Sequence, residues 1–250
     1  MPTFIAYFYG LIILAGLQLG VTKPSSFWWM IGGVLIFNTL FVWLSTRAKI
    51  DKNFFKLLIS PFLFLLSGFL FLGFCNQVIV RELVVIFLAV GATVFVRQLI
   101  ILTFHKYQYK NHSLSTISKI LNTTTIFFWF NGIFNLYVFI KAPYLILLTT
   151  TVLVIYLLTY QFFIITKIKS TASVWFIPII TLLMTELFVV VMWLPVLSGA
   201  KAILMTSVYY FFTGVAQHFL SATLDKKVYW RYGAVAMFIW ISVLLTARWS

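Results

Sequence analysis

The sequence predicts an all-α, polytopic transmembrane helix bundle of about nine spans, with the N-terminus cytoplasmic and the C-terminus outside. Three observations predict it. Hydrophobic residues make up 63% of the 250 and charged residues only 9%, where a soluble domain carries about 25% charged residues. Apolar runs long enough to cross the bilayer core, which takes about 20 residues, recur along the whole chain. Basic residues gather in alternate breaks between these runs, which is the pattern that sets membrane orientation.

The runs fall at 3–21, 27–45, 57–75, 83–104, 120–140, 144–166, 174–196, 202–223 and 229–247. The first follows Met-Pro-Thr with no Lys or Arg and precedes no small-residue cleavage site, so it reads as a retained span rather than a signal peptide. The second is bracketed by Trp28, Trp29 and Trp43, rings that favour the headgroup level. The third and seventh each carry a proline five residues in, Pro61 and Pro178, and the fourth carries Arg97. The fifth has a polar stripe of Thr124, Asn131 and Asn135, and the sixth contains Gln161. The eighth is the most polar, with Gly214, Gln217 and His218 toward its end. The ninth is the shortest, and Arg231 at its start snorkels toward the interface. No run alternates with a period of two, and in lipid only helices and closed barrels satisfy their own backbone, so helices are the reading.

Charge orients the chain. The breaks after spans 2, 4, 6 and 8 hold Arg47, Lys49, Lys52 and Lys56, then Lys106, Lys110 and Lys119, then Lys167 and Lys169, then Lys226, Lys227 and Arg231. The opposite breaks and the C-terminus hold one basic residue each: Lys23, Arg81, Lys141, Lys201 and Arg248. The net charge of +14 therefore reports topology. It forms no phosphate-binding stripe, and nucleic acid is not an expected partner. Cys75 is the only cysteine, which rules out an intrachain disulfide and a thiolate cluster. Breaks are short, so residues 1–250 read as one integral membrane domain. The glycosylation triplets at Asn111 and Asn122 fall on the predicted inner side.

Only four acids occur, and three of them, Asp51, Glu82 and Asp225, stand beside basic residues in polar breaks. Glu186 stands alone in LLMTELFVVVMW. A charged carboxylate at the bilayer centre costs about 2.5–3.5 kcal/mol on insertion scales, so it is expected to face the interior, carry a proton or be paired. Arg97 is the expected partner. Asn38, Gln161, Gln217 and His218 project at a similar depth and complete a candidate intramembrane polar site. That set reads either as interhelical hydrogen bonding or as a cavity opening inward with Glu186 at its floor. His218, Ser221 and Asp225 share one helical face and invite a hydrolase reading, but consecutive helical turns do not impose triad geometry, since Asp225 lies about 10 Å along the axis from His218. No nucleophile elbow, zinc-binding helix motif or phosphate loop is present, and no cofactor is implied.

The C-terminal segment QHFLSATLDKKVYWRYG, with the last span ending LLTARW, resembles the end of multi-span bacterial integral membrane proteins of unknown function. The likeness covers about the last tenth of the chain. It implies a multi-pass protein of the bacterial cytoplasmic membrane and carries over no site.

Three functions are open to the sequence. One is a permease-like protein that passes a small solute, ion or proton, with Glu186 as its protonatable or ion-binding group. The second is a non-catalytic scaffold or complex subunit. The third is a small lipid-modifying enzyme at the cytoplasmic face. The enzyme has the least behind it. The orientation is checked directly: alkaline phosphatase fused after Ser250 should be active and a fusion in the 105–119 break inactive, and the reverse would invert the topology.

Overall fold

A computed structural model describes residues 2–45, 52–104, 113–166, 173–223 and 225–246. Among them the chain forms nine α-helices and no strand. The helices are α1 (Pro2–Thr22), α2 (Phe27–Ser45), α3 (Lys52–Leu72), α4 (Val78–Phe104), α5 (Ser113–Asn135), α6 (Tyr144–Ile165), α7 (Ser173–Met192), α8 (Ser198–Leu220) and α9 (Lys226–Thr246). A 3₁₀ turn at Pro24–Ser26 joins α1 to α2, and a π-helical turn at Leu136–Ile140 ends α5. Eight of the nine are long and apolar enough to cross a membrane. The exception is α8, whose Lys201, Thr206, Ser207, Thr213, Gln217 and His218 lower its hydropathy. It packs on both α7 and α9, so these groups need not all meet lipid. The chain is a multi-pass membrane protein.

The helices coincide with the expected spans, but several reach further. Whereas α2 has the expected limits, α3 and α4 begin five residues early and α5 seven. Hydropathy sees only the part of a helix that lies in hydrocarbon, while the backbone keeps its internal bonds into the headgroup layer.

The fold has two compact units, residues 1–125 and 126–250, and α5 gives its first half to one and its second half to the other. In the first unit α1 packs on α2 and α4, α2 on α3 and α4, and α3 on α4. A close approach fixes α1 against α4: a side chain at Gly10 would collide with the Thr93 hydroxyl. Small residues let backbones close in this way where lipid supplies no hydrophobic drive between helices. Beside it, Tyr9 is fully buried and donates to Asn38 Oδ1 at 2.8 Å, tying α1 to α2. Its ring stacks on Phe37 and tilts against Phe41. On α3, Ser60 donates to Asn122 Oδ1 of α5 at 2.6 Å. Asn122 is therefore a packed helical residue.

The second unit holds a cluster of three rings, Phe130 and Phe134 of α5 with Phe188 of α7, at centroid distances of 5.5–5.9 Å; Phe134 stacks on both others, and Phe130 and Phe188 are tilted. Trp129 Nε1 donates to Thr151 Oγ1 of α6 at 3.4 Å. Further on, α6 packs on α7, α7 on α8 and α8 on α9. Tyr232 of α9 presses onto Gly214 of α8, between Tyr210 and His218 one turn to either side. This notch is one hold on α9, none of whose described residues is buried.

The Gly10 contact makes a double-mutant prediction. Gly10→Ala should destabilise the protein by about 1–3 kcal/mol, the usual cost of overpacking. Thr93→Ala, which removes the hydroxyl in the way, should restore most of the loss. Equilibrium unfolding in mixed micelles reads both, and additive effects would discount the contact.

Candidate functional site

Glu186 does not face inward. The buried face of α7 is formed by Ile177, Ile180, Thr181, Met184, Phe188 and Val191. Glu186 is two residues from Met184 and two from Phe188, so at 3.6 residues per turn it points to the other side, and it is exposed. Its meridian runs through Trp175, Ile179, Leu182, Val190 and Trp193, all exposed as well. The expectation of a buried carboxylate is corrected here. An α7 that is apolar all round offered the sequence no phase by which to tell its inner face from its outer one.

The two tryptophans measure the depth of the carboxylate. Trp175 and Trp193 stand about 27 Å apart along the axis, and Glu186 lies about 16 Å from one and 10 Å from the other. With both rings at the headgroup levels, the carboxylate sits within a few ångströms of the bilayer centre. Its side chain is too short to snorkel out from there.

The other residues of the expected site divide between the units. Arg97 and Asn38 belong to the first, and Glu186, Gln161, Gln217 and His218 to the second. Arg97 is half-buried on α4, its guanidinium carbon 5.9 Å from the Tyr7 ring centroid of α1. Its Nε finds no hydrogen-bond partner among the described residues. Asn38 is fully buried and takes the Tyr9 hydroxyl, and its Nδ2 has no hydrogen-bond partner among the described residues. On the inner face of α6, Gln161 is fully buried, while Gln217 is half-buried on α8.

The turn between α8 and α9 absorbs the groups that suggested a hydrolase. His218 Nδ1 lies 3.0 Å from Thr223 Oγ1. Asp225 Oδ1 accepts the Lys226 backbone N–H at 2.6 Å, and the Asp225 carbonyl accepts from Val228 and Tyr229. That carboxylate opens α9. Ala222 completes the turn in the left-handed region at φ 53°, where its neighbour Thr223 donates back to the His218 carbonyl. The arrangement is a helix stop followed by a helix start.

Lys201 was read from sequence as a break residue, and the structure buries it. It sits in the first turn of α8, 8% exposed, and Nζ donates to the Met192 carbonyl at 2.8 Å. The same ammonium lies 5.6 Å from the Phe134 ring centroid. A cation is favourable at a helix C-terminus and over an aromatic face, so Lys201 pins the α7–α8 hairpin to α5. The available signal was spacing: the residue is only nine positions beyond the end of α7, on the next helix.

Between α8 and α9 lies an open groove of about 610 Å³, with Phe211 on one wall and Tyr229, Gly233, Met237 and Trp240 on the other. All its lining residues are apolar or aromatic, and none belongs to the expected polar site. Among the described residues no group of three or more His, Cys, Asp or Glu side chains is placed to hold a metal ion.

Replacing Lys201 by Met keeps its length and removes its charge. The loss should be about 1.5–3 kcal/mol, the range for hydrogen bonds to charged groups, read by unfolding in micelles. A change under about 0.5 kcal/mol would make the buried contact incidental.

Compared with known proteins, the chain matches no family model, no curated protein and no solved structure.

Proposed function

We propose that the protein is a non-catalytic membrane subunit that docks a partner's transmembrane helix through the outer face of α7, with Glu186 as the anchor. One observation carries the reading: a carboxylate near the bilayer centre stands on an exposed stripe whose other members are apolar. In hydrocarbon a bare carboxylate is among the costliest groups a helix can display. A lysine or arginine on a neighbouring helix removes that cost, and the apolar stripe supplies the surrounding contact. Charged side chains inside membranes pair with one another for this reason.

The polar groups elsewhere support the same reading. Tyr9 with Asn38, and Ser60 with Asn122, are hydrogen-bonded to each other between helices of one unit. These pairs hold helices together. A solute path would be expected to present such groups to a cavity that also reaches Glu186.

Designed single-span helices test the reading in reconstituted vesicles by fluorescence energy transfer. A polyleucine helix with one central lysine should associate with the protein at least tenfold more tightly than the same helix without it. Glu186→Gln should remove that preference while leaving the fold intact. Equal binding of the lysine helix to wild type and Glu186→Gln would overturn the proposal. Binding that appears only in Arg97→Leu would assign Glu186 to a bond within the chain. Titration of the Glu186 carboxyl band by infrared difference spectroscopy between pH 5 and 8, without helix capture, would favour the permease instead.

A further inference from the structure

We infer that the partner helix is α4 of a second copy of this chain, whose Arg97 meets Glu186 across the interface between the two copies. The inference rests on the docking reading and names its partner. Both halves of the bond are carried by one sequence: Arg97 is the one basic residue well inside an apolar run, as Glu186 is the one acid.

The two charges stand on matching surfaces. Seen down α4, Arg97 shares its meridian with Leu83, Val90, Val94 and Phe104, and all four are exposed. The opposite side of α4 buries Leu88, Ala92, Phe95 and Leu99. The guanidinium therefore lies on an outward apolar stripe, as the carboxylate does on α7, with the Tyr7 ring of α1 beside it. The ring softens the charge but leaves Nε without a hydrogen-bond partner among the described residues. In hydrocarbon such an arginine calls for an acceptor, and a carboxylate on a neighbouring helix fits the guanidinium fork.

Depth and direction select a second copy. Arg97 lies about 5 Å from the midpoint of its apolar run 83–104, toward the C-terminal end of α4. Glu186 lies about 3 Å from the midpoint between Trp175 and Trp193, toward the C-terminal end of α7. Three connections separate α4 from α7, so the two helices cross the membrane in opposite directions. The two backbone positions are then about 8 Å apart in depth. A helical side chain leans toward the N-terminus of its own helix. Arg97 therefore leans toward the level of Glu186, and Glu186 toward the level of Arg97, so the gap closes from both sides. Two copies that exchange this bond in both directions leave neither charge over, which is the self-complementary contact of a twofold dimer.

Fluorescence energy transfer between full chains labelled at Cys75, the only cysteine, reads self-association in vesicles. Wild type should associate at least tenfold more tightly than Arg97→Met or Glu186→Gln by itself. A mixture of the two variants should associate at least fivefold more tightly than either, because one intact pair re-forms between them. A mixture no tighter than its components would overturn the inference, since the bond would then lie within one chain or not exist. Wild-type affinity in Arg97→Met would also overturn it, and would leave the guanidinium to a lipid phosphate. The docking reading is separated from this one by dilution to one copy per vesicle. Capture of the lysine helix there, with no self-association of wild type at higher density, would keep the docking reading and overturn this partner. Loss of both would overturn the two together. Should a charge variant fail to fold, Val94→Cys and Leu182→Cys in a Cys75→Ser background keep both charges. These exposed positions lie on the two stripes, within about 3 Å of each other in depth. On mild oxidation of mixed copies, the disulfide between positions 94 and 182 should form at least fivefold faster than either like pair, and equal rates would overturn the assignment.

Discussion

In hydrocarbon, burying one leucine against another gains little over leaving both in lipid, and this constraint governs the whole structure. What remains to hold helices together is close contact and the occasional polar bond. The protein uses both devices side by side. In the first unit, Gly10 lets α1 reach the Thr93 side chain of α4, and one residue earlier Tyr9 crosses to Asn38 of α2. In the second, Gly214 admits Tyr232 and Lys201 reaches the end of α7. Each unit has a glycine against which a side chain of a neighbouring helix fits and a buried donor that spans to a neighbour.

The same constraint explains where charge is tolerated. A buried lysine is acceptable at the end of α7 because a terminal carbonyl and an aromatic face both meet it. Arg97 has an aromatic ring beside its guanidinium. Glu186 is the departure, since its helix offers only apolar neighbours along its own meridian. That contrast separates residues that complete the fold from one whose chemistry points outward.

The fold class and the helix positions were legible because length and hydropathy are properties of a segment and need no partner. Span 2 matched α2 at both ends, and Trp28, Trp29 and Trp43 marked those ends. Helical phase was not legible. A helix such as α7 is apolar on every side, so nothing local says whether Glu186 or Met184 points inward. Tyr9 and Lys201 escaped for a related reason. One looks like a lipid-facing aromatic and the other like a topology signal, and only the neighbouring helix shows that each is a buried donor.

The glycine contacts carry a consequence for natural variation. A residue that fits only because another leaves space cannot change by itself. A larger residue at position 10 calls for a smaller one at 93, and a side chain at 214 calls for a smaller ring at 232. These are pairs far apart in the chain, and each should drift jointly while the apolar residues around them interchange freely. Correlated replacement at 10 with 93 and at 214 with 232 would therefore identify descendants of this fold after overall similarity has been erased.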